Sequence, residues 1–134
     1  MPIRVFVDTS FVLALINERD QNYQQANALS FRFEESLLVT TVAVLLEIGN
    51  ALAKNFRQEA EAIIRLLRTS SRVEVVPIDD AILEKSLELY DKYRDKTWSL
   101  MDCISFVVMR ERAVTDVLTF DADFAAAGFI VVKE

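Results

Sequence analysis

The sequence contains no histidine, which removes much of the usual catalytic repertoire. Ser-His-Asp and Cys-His nucleophile systems are excluded within the chain, as are histidine-based zinc sites. Its single cysteine, Cys103, cannot form an internal disulfide. Two glycines and two prolines give too little punctuation for a many-stranded all-β fold. No glycine-rich phosphate loop is present, so P-loop and dinucleotide fingerprints are absent. No apolar run reaches the roughly 20 residues that cross a bilayer. The start, MPIRVFVDTS, reads as a strand and a turn, without the small-residue cleavage site of a secretory signal. These absences predict a cytoplasmic, non-membrane protein whose chemistry is that of carboxylates, with or without metal.

What is present is a 134-residue chain, 52% hydrophobic, long enough to bury a substantial core as one domain over residues 1–134. Four acids interrupt or terminate its apolar runs: Asp8 in VFVD, Glu47 in AVLLEI, Asp102 in SLMDCISFVV and Asp121 in VLTFD. Burying a lone carboxylate is costly unless a cation or hydrogen bonds compensate. Gathered carboxylates repel one another, and a shared divalent ion resolves the conflict. Oxygen ligands favour hard cations such as Mg²⁺ or Mn²⁺, which serve phosphate-ester chemistry.

The periodicity predicts strands at Ile3–Val7, Leu37–Thr40, Val73–Ile78, Asp116–Thr119 and Phe129–Val132. Helices are predicted over Ser10–Asn17, Asp20–Glu34, from a cap at Thr40 or Thr41 through Lys54, over Gln58–Thr69, from Asp79 or Asp80 to Tyr93, and over Ser99–Arg112 and Asp121–Ala127. This alternation indicates a three-layer α/β/α sandwich with a mainly parallel central sheet. Ligands in such folds collect beyond the carboxyl ends of the strands. Asp8 and Asp121 stand at such ends, and Glu47 and Asp102 lie early in helices that can enter from the same edge. Taken singly, Asp8 and Asp121 also suit helix caps, and Ser99-Leu-Met-Asp102 suits a capping box.

The net charge of −6 opposes nucleic-acid binding at first sight. Removing four ligand charges from −6 leaves −2, and each divalent ion adds two positive charges. The Lys54–Arg72 segment carries Lys54, Arg57, Arg65, Arg68 and Arg72 against Glu59 and Glu61. Those residues form either a solvated helix face or a local basic surface for RNA.

VFVDTSFVLAL, EIGNAL, SLMDCISFVVM and VLTFDADFAAAGF together resemble the successive motifs of PIN domains, especially the VapC-type ribonucleases of toxin–antitoxin pairs. The resemblance covers nearly the whole chain in motif order. It implies that Asp8, Glu47, Asp102 and Asp121 are the acidic quartet, supported by the hydroxyls of Ser10 and Thr119. It further implies a Mg²⁺- or Mn²⁺-dependent endoribonuclease, a homodimer, and a small antitoxin partner. Asp123 departs from the pattern, standing where many relatives of this type carry histidine. It is either a fifth site acid or a solvated helix residue.

Lesser candidates divide similarly. Trp98 can stack on an unpaired base or anchor the core, and Asp20 can assist the metal edge or begin a helix. Cys103 reads as a small buried residue. Phe31 lies off the Tyr23, Ala26, Leu29, Phe33 stripe, so either it joins the core or a partner covers it. A receiver-like signalling module is the competing reading, with Asp79 and Asp80 after the third strand. It leaves Glu47 and Asp102 unexplained, and no lysine follows the penultimate strand. A PIN scaffold kept only for binding is the third reading, against which the intact quartet argues.

Overall fold

Short runs of β-branched and aromatic residues become strands, and longer amphipathic stretches between them become helices. In the computed structural model, which describes residues 3–134, the elements follow one another as β1 (Arg4–Val7), α1 (Thr9–Ile16), α2 (Tyr23–Arg32), β2 (Leu37–Thr41), α3 (Val42–Leu52) and α4 (Arg57–Thr69). Then come β3 (Val73–Val76), α5 (Asp80–Lys92), α6 (Leu100–Glu111), β4 (Asp116–Leu118), α7 (Asp123–Ala126) and β5 (Ile130–Val131). Met1 and Pro2, at the start of the MPIRVFVDTS segment, lie outside the described residues. Among the described residues no helix is long and apolar enough to cross a membrane.

The sheet is parallel throughout, in the order β3-β2-β1-β4-β5. Right-handed crossovers put α1–α4 on one face and α5–α7 on the other. Packing agrees: α1 touches α2 and α3, and α3 touches α4, whereas α6 touches α5 and α7. Strands covered on both faces need apolar side chains on both, and Val5, Phe6, Val7, Val39, Val117 and Leu118 are all buried. The order has a functional consequence. The chain builds outward from β1 through β2 to β3, then returns to β1's other side, so a topological switch point lies between β1 and β4.

At two helix starts the structure decides between neighbouring cap candidates, Thr40 or Thr41 and Asp79 or Asp80. Thr41 caps α3 by accepting the Val44 N–H (3.0 Å), and Asp79 caps α5 by accepting the Ile82 N–H (2.8 Å). The helix expected from Asp20 starts only at Tyr23, because Asp20 is used in a turn, its Oδ1 accepting the Asn22 N–H (2.8 Å). After α7 the chain reverses through Gly128 (φ +98°), with Gly128 N–H donating to Ala125 and Phe129 N–H to Phe124. This Schellman arrangement needs a left-handed residue.

The core's aromatic centre orients the helices that carry acids. Phe106 on α6 meets Phe124 on α7 edge-on at 5.0 Å, and Trp98 meets Phe106 edge-on at 5.1 Å. Phe106 and Phe124 are fully buried, each contributing about 1.5–3 kcal/mol. Asp102 lies one helical turn before Phe106, and Asp123 directly precedes Phe124. The aromatic contact therefore sets how closely those two acids approach.

Candidate metal centre

Asp8 leaves the sheet at the switch point, its N–H donating to the Leu118 carbonyl (3.1 Å). It occupies the N-cap position of α1, yet its side chain makes no capping bond. Instead Oδ2 accepts the hydroxyls of Ser10 (2.9 Å) and Thr119 (2.7 Å). The two hydroxyl oxygens lie 3.0 Å apart. With both protons donated to Asp8, that approach carries no proton of its own. Each hydroxyl also accepts a backbone N–H, Ser10 from Phe120 (2.9 Å) and Thr119 from Asp121 (3.0 Å). Both donors converge on one carboxylate oxygen, which leaves Oδ1 without a side-chain donor. Asp8 is only 8% exposed, and burial raises its pKa despite the hydroxyls, with Asp121 adding to the rise.

Asp102 has two duties. Its Oδ2 accepts the Ser99 N–H (3.0 Å) while its own N–H donates to Ser99 Oγ (3.0 Å), completing the capping box. The cap thus coexists with the ligand geometry and does not compete with it. Burial lifts its pKa to about 6; the Ser99 N–H opposes the rise, and Asp121, Asp8 and Asp123 add to it.

Asp121 also bends the chain locally, its Oδ1 accepting the Asp123 N–H (2.9 Å). This turn brings Asp123 back beside it. One carboxylate oxygen from each of Asp102, Asp121 and Asp123 lies within 4.8 Å of the others. Asp123's pKa is raised, by burial first and by Asp121 second. Two ligands on opposite sides of a Mg²⁺-sized ion stand about 4.2 Å apart. Small side-chain rotations suffice to reach that spacing, so the all-oxygen donor set fits a hard divalent ion.

The structure therefore gathers Asp8, Asp102, Asp121 and Asp123, with Ser10 and Thr119 between them. Glu47 stands differently. It sits half-buried on α3, which begins at the same sheet edge and touches α6. It makes no hydrogen bond or ion pair among the described residues and is not one of the three clustered acids. Asp123 takes the third place in the cluster. Its signal was the two-residue spacing from Asp121, which an Asx turn converts into proximity.

Other candidates resolve as well. Trp98 is buried between Tyr93 (4.8 Å) and Phe106, a core anchor, so the base-stacking role is withdrawn. Asp20 is occupied by its turn. Cys103 is buried, and burial pushes its thiol pKa up, as suits an inert packing residue.

A parallel sheet with an acid cluster at its switch point places the chain in the class of α/β proteins with a carboxylate site able to take a divalent ion. Within that class, the chain belongs to the PIN domain family, whose pattern it matches over residues 5–130. It is 31% identical over 129 residues to the 23S rRNA-specific endonuclease VapC20 of Mycobacterium tuberculosis, covering 96% of this chain and 98% of that protein. The crystal structure of VapC20, described as a sarcin-ricin loop cleaving toxin, superposes with a TM-score of 0.88 and covers 97% of this chain and 99% of that one. A toxin–antitoxin complex from Klebsiella pneumoniae (TM-score 0.65, 17% identity, 96% of each chain) shares the fold. FitAcB from Neisseria gonorrhoeae (TM-score 0.66, 17% identity, 96% of each chain) shares it too.

Proposed function

We propose that this chain is a Mg²⁺- or Mn²⁺-dependent endoribonuclease, one domain over residues 1–134, acting in the cytoplasm as the toxin of a toxin–antitoxin pair. The observation that carries the reading is the convergence of Asp102, Asp121 and Asp123 oxygens within 4.8 Å, next to the buried Asp8. Asp102 and Asp121 have their own local hydrogen bonds, and a bound cation would offset the repulsion among the acids. Similarity to an endonuclease of 23S ribosomal RNA supports RNA as substrate and makes that RNA the first to test. A receiver-like module leaves Glu47 and Asp102 unexplained, and Asp79, which that reading needs, is used to cap α5.

Asp8 and Asp121 would hold the principal ion, with Asp102 and Glu47 completing its shell or that of a second, and Asp123 adjoining. When bound, the ion supplies positive charge against the scissile phosphate and makes water more acidic. The protein's part is positioning. Ser10 and Thr119 fix Asp8 in one rotamer and donate to Oδ2. The Ser99 cap fixes Asp102, and the Asx turn fixes Asp121. Asp102 and Glu47 would help to orient the attacking water. Attack by water leaves a 5′-phosphate and a 3′-hydroxyl.

Partners follow from surfaces. An apolar cavity of about 270 Å³ opens between α1, α2 and α4, lined by Phe11, Leu15, Phe33, Ile63, Leu66 and Val73 among others. Phe31, on α2, is 65% exposed. An amphipathic antitoxin helix suits this side, with an antitoxin arginine able to reach the acids and displace metal. Leu83, Leu87 and Tyr90 form an exposed stripe on α5 at helical spacing, suited to a second protomer. Light scattering that shows only monomer at high concentration refutes the dimer.

The decisive assay is cleavage of ribosomal RNA across a metal titration, with wild type and Asp8→Asn. Metal-dependent cutting by wild type alone, with 5′-phosphate ends, is expected. Equal cutting by both proteins, or 2′,3′-cyclic phosphate ends, refutes the mechanism.

A further inference from the structure

Adjoining the acids lies a separate recess of about 320 Å³, lined by Gln25, Thr119, Phe120, Asp121, Ala125 and Lys133, with further small residues. It shares Thr119 and Asp121 with the candidate centre, so whatever enters it sits next to the group held there. Its size matches the lower end of small-ligand sites. Its walls combine three chemistries. Phe120 is a half-buried aromatic wall, its ring near-parallel to Phe11 (6.1 Å, 20°). Gln25, half-buried on α2, offers both a donor and an acceptor. Lys133 is an exposed cation beside an otherwise acidic centre.

The backbone explains why Lys133 is there. Strand β5 runs parallel to β4, so the residues beyond it emerge at the sheet edge that carries Asp8 and Asp121. Val132 N–H still bonds the Val117 carbonyl (3.0 Å), and the Lys133 carbonyl accepts Arg32 Nη1 of α2. The segment is thereby tied to both sides of the recess. On the α7 side Ala122 and Ala125 present only methyl groups, which keeps the entrance open.

A flat apolar wall, an amide able to read an edge and a cation at the mouth are together the complement of one unpaired nucleotide. We propose that this recess holds the nucleotide flanking the scissile phosphate, with its base against Phe120, its base edge on Gln25 and its outer phosphate on Lys133. The proposal rests on the ribonuclease reading for the location of the scissile bond and extends it to substrate selection. Gln25 is then a specificity determinant and Lys133 a positioning residue, and neither touches the reacting atoms.

The test uses Gln25→Ala and Lys133→Ala in the full chain, both at solvent-accessible positions, with melting curves to verify folding. Binding of a fluorescein-labelled single-stranded RNA is followed by anisotropy across a salt series, with Ca²⁺ replacing Mg²⁺. Cleavage of a randomised RNA pool with Mg²⁺ or Mn²⁺ then reports the bases flanking the cut. Lys133→Ala is expected to flatten the log Kd against log salt slope by about 0.7 for one lost single-strand phosphate contact. It should also raise KM with little change in kcat. Gln25→Ala is expected to erase the base bias at one flanking position without altering the salt slope. An unchanged slope in Lys133→Ala, a bias retained in Gln25→Ala, or a wild type that binds no RNA overturns the proposal. RNA that is bound but never cut refutes the ribonuclease reading instead, and the salt slope still decides whether the recess holds a nucleotide.

Discussion

Filling the acid cluster with a divalent ion should stabilise the fold strongly at neutral pH and much less at pH 5. Carboxylate oxygens within 4.8 Å of one another repel, by an energy on the order of a few kcal/mol at an effective dielectric of about 20 and less where solvent screens these half-exposed groups. The metal-free fold holds this strain partly by protonation: Asp102 titrates near 6 where the unfolded chain's aspartates titrate near 3.8. The folded chain therefore binds more protons than the unfolded chain between those values. Its metal-free stability falls as pH rises through that window, and the deficit is complete above pH 6. An ion reverses the sign of the interaction. At a concentration one hundred times its Kd it adds about 2.7 kcal/mol, or about 10 °C in Tm for a domain of this size. Below pH 6 the ion must first displace protons, so the shift shrinks. The assay is a set of melting curves with chelator, Mg²⁺ and Mn²⁺ at pH 5 and 7.5, on wild type and on the double variant Asp102→Asn, Asp121→Asn. Metal-free wild type should melt higher at pH 5 than at 7.5, and the double variant should lose most of both effects. A Tm indifferent to millimolar metal at pH 7.5, or an equal shift in the double variant, refutes the reasoning.

Asp8→Asn keeps the size and one acceptor oxygen while removing a buried charge, so the metal-free fold should be no less stable. RNA cleavage should nonetheless fall by at least about 100-fold, since even outer-shell changes at metal sites cost about 10–100-fold. Thr119→Val strips Asp8 of one hydroxyl and the Asp121 N–H of its acceptor, a loss of about 1–3 kcal/mol that denaturant unfolding will read. Trp98→Ala should cost about 3–5 kcal/mol through the cavity it leaves. In wild type, Trp98 fluorescence should not respond to bound RNA, and quenching by RNA would restore the stacking role. Phe31→Asp should change stability by less than about 0.5 kcal/mol yet weaken cognate antitoxin about 30-fold, the loss of a hot spot worth about 2 kcal/mol. Unimpaired binding by calorimetry removes Phe31 from that surface.

Alternation of strand and helix was legible because period-two and period-3.6 patterns differ over even short windows. Asp8 and Asp121 were legible as residues just beyond strands because each follows a short apolar run consistent with a buried parallel strand. Asp123 was ambiguous because a solvated helix acid and an Asx-turn acid look alike in sequence; the difference lies in where the Asp121 carboxylate turns. Glu47 shows the converse. Its apolar neighbours Leu45 and Ile48 are buried and Glu47 itself is half-buried, but nothing in the sequence shows that it stands apart from the three clustered acids. β5 is shorter than its Phe129–Val132 pattern because it is an edge strand with only two paired positions, Ile130 with Asp116 and Val131 with Val117. Trp98 could be placed only once Tyr93, just after α5, and Phe106, on α6, were seen to enclose it.

The hydrogen bond from Thr119 to Asp8 joins residues 111 positions apart. During synthesis at roughly 5–20 residues per second, the first strand waits roughly 6–22 s for that partner. Until then β1 lacks its neighbour β4, and Asp8 is an ordinary hydrated carboxylate beside a hydroxyl of its own helix. No ribosome-bound fragment that stops short of Thr119 contains the seat for Asp8, and Asp121 and Asp123 come later still. Assembly of the acids thus waits on β4 and the turn after it, and a product truncated before Thr119 inherits the scaffold of β1–β3 without the cluster.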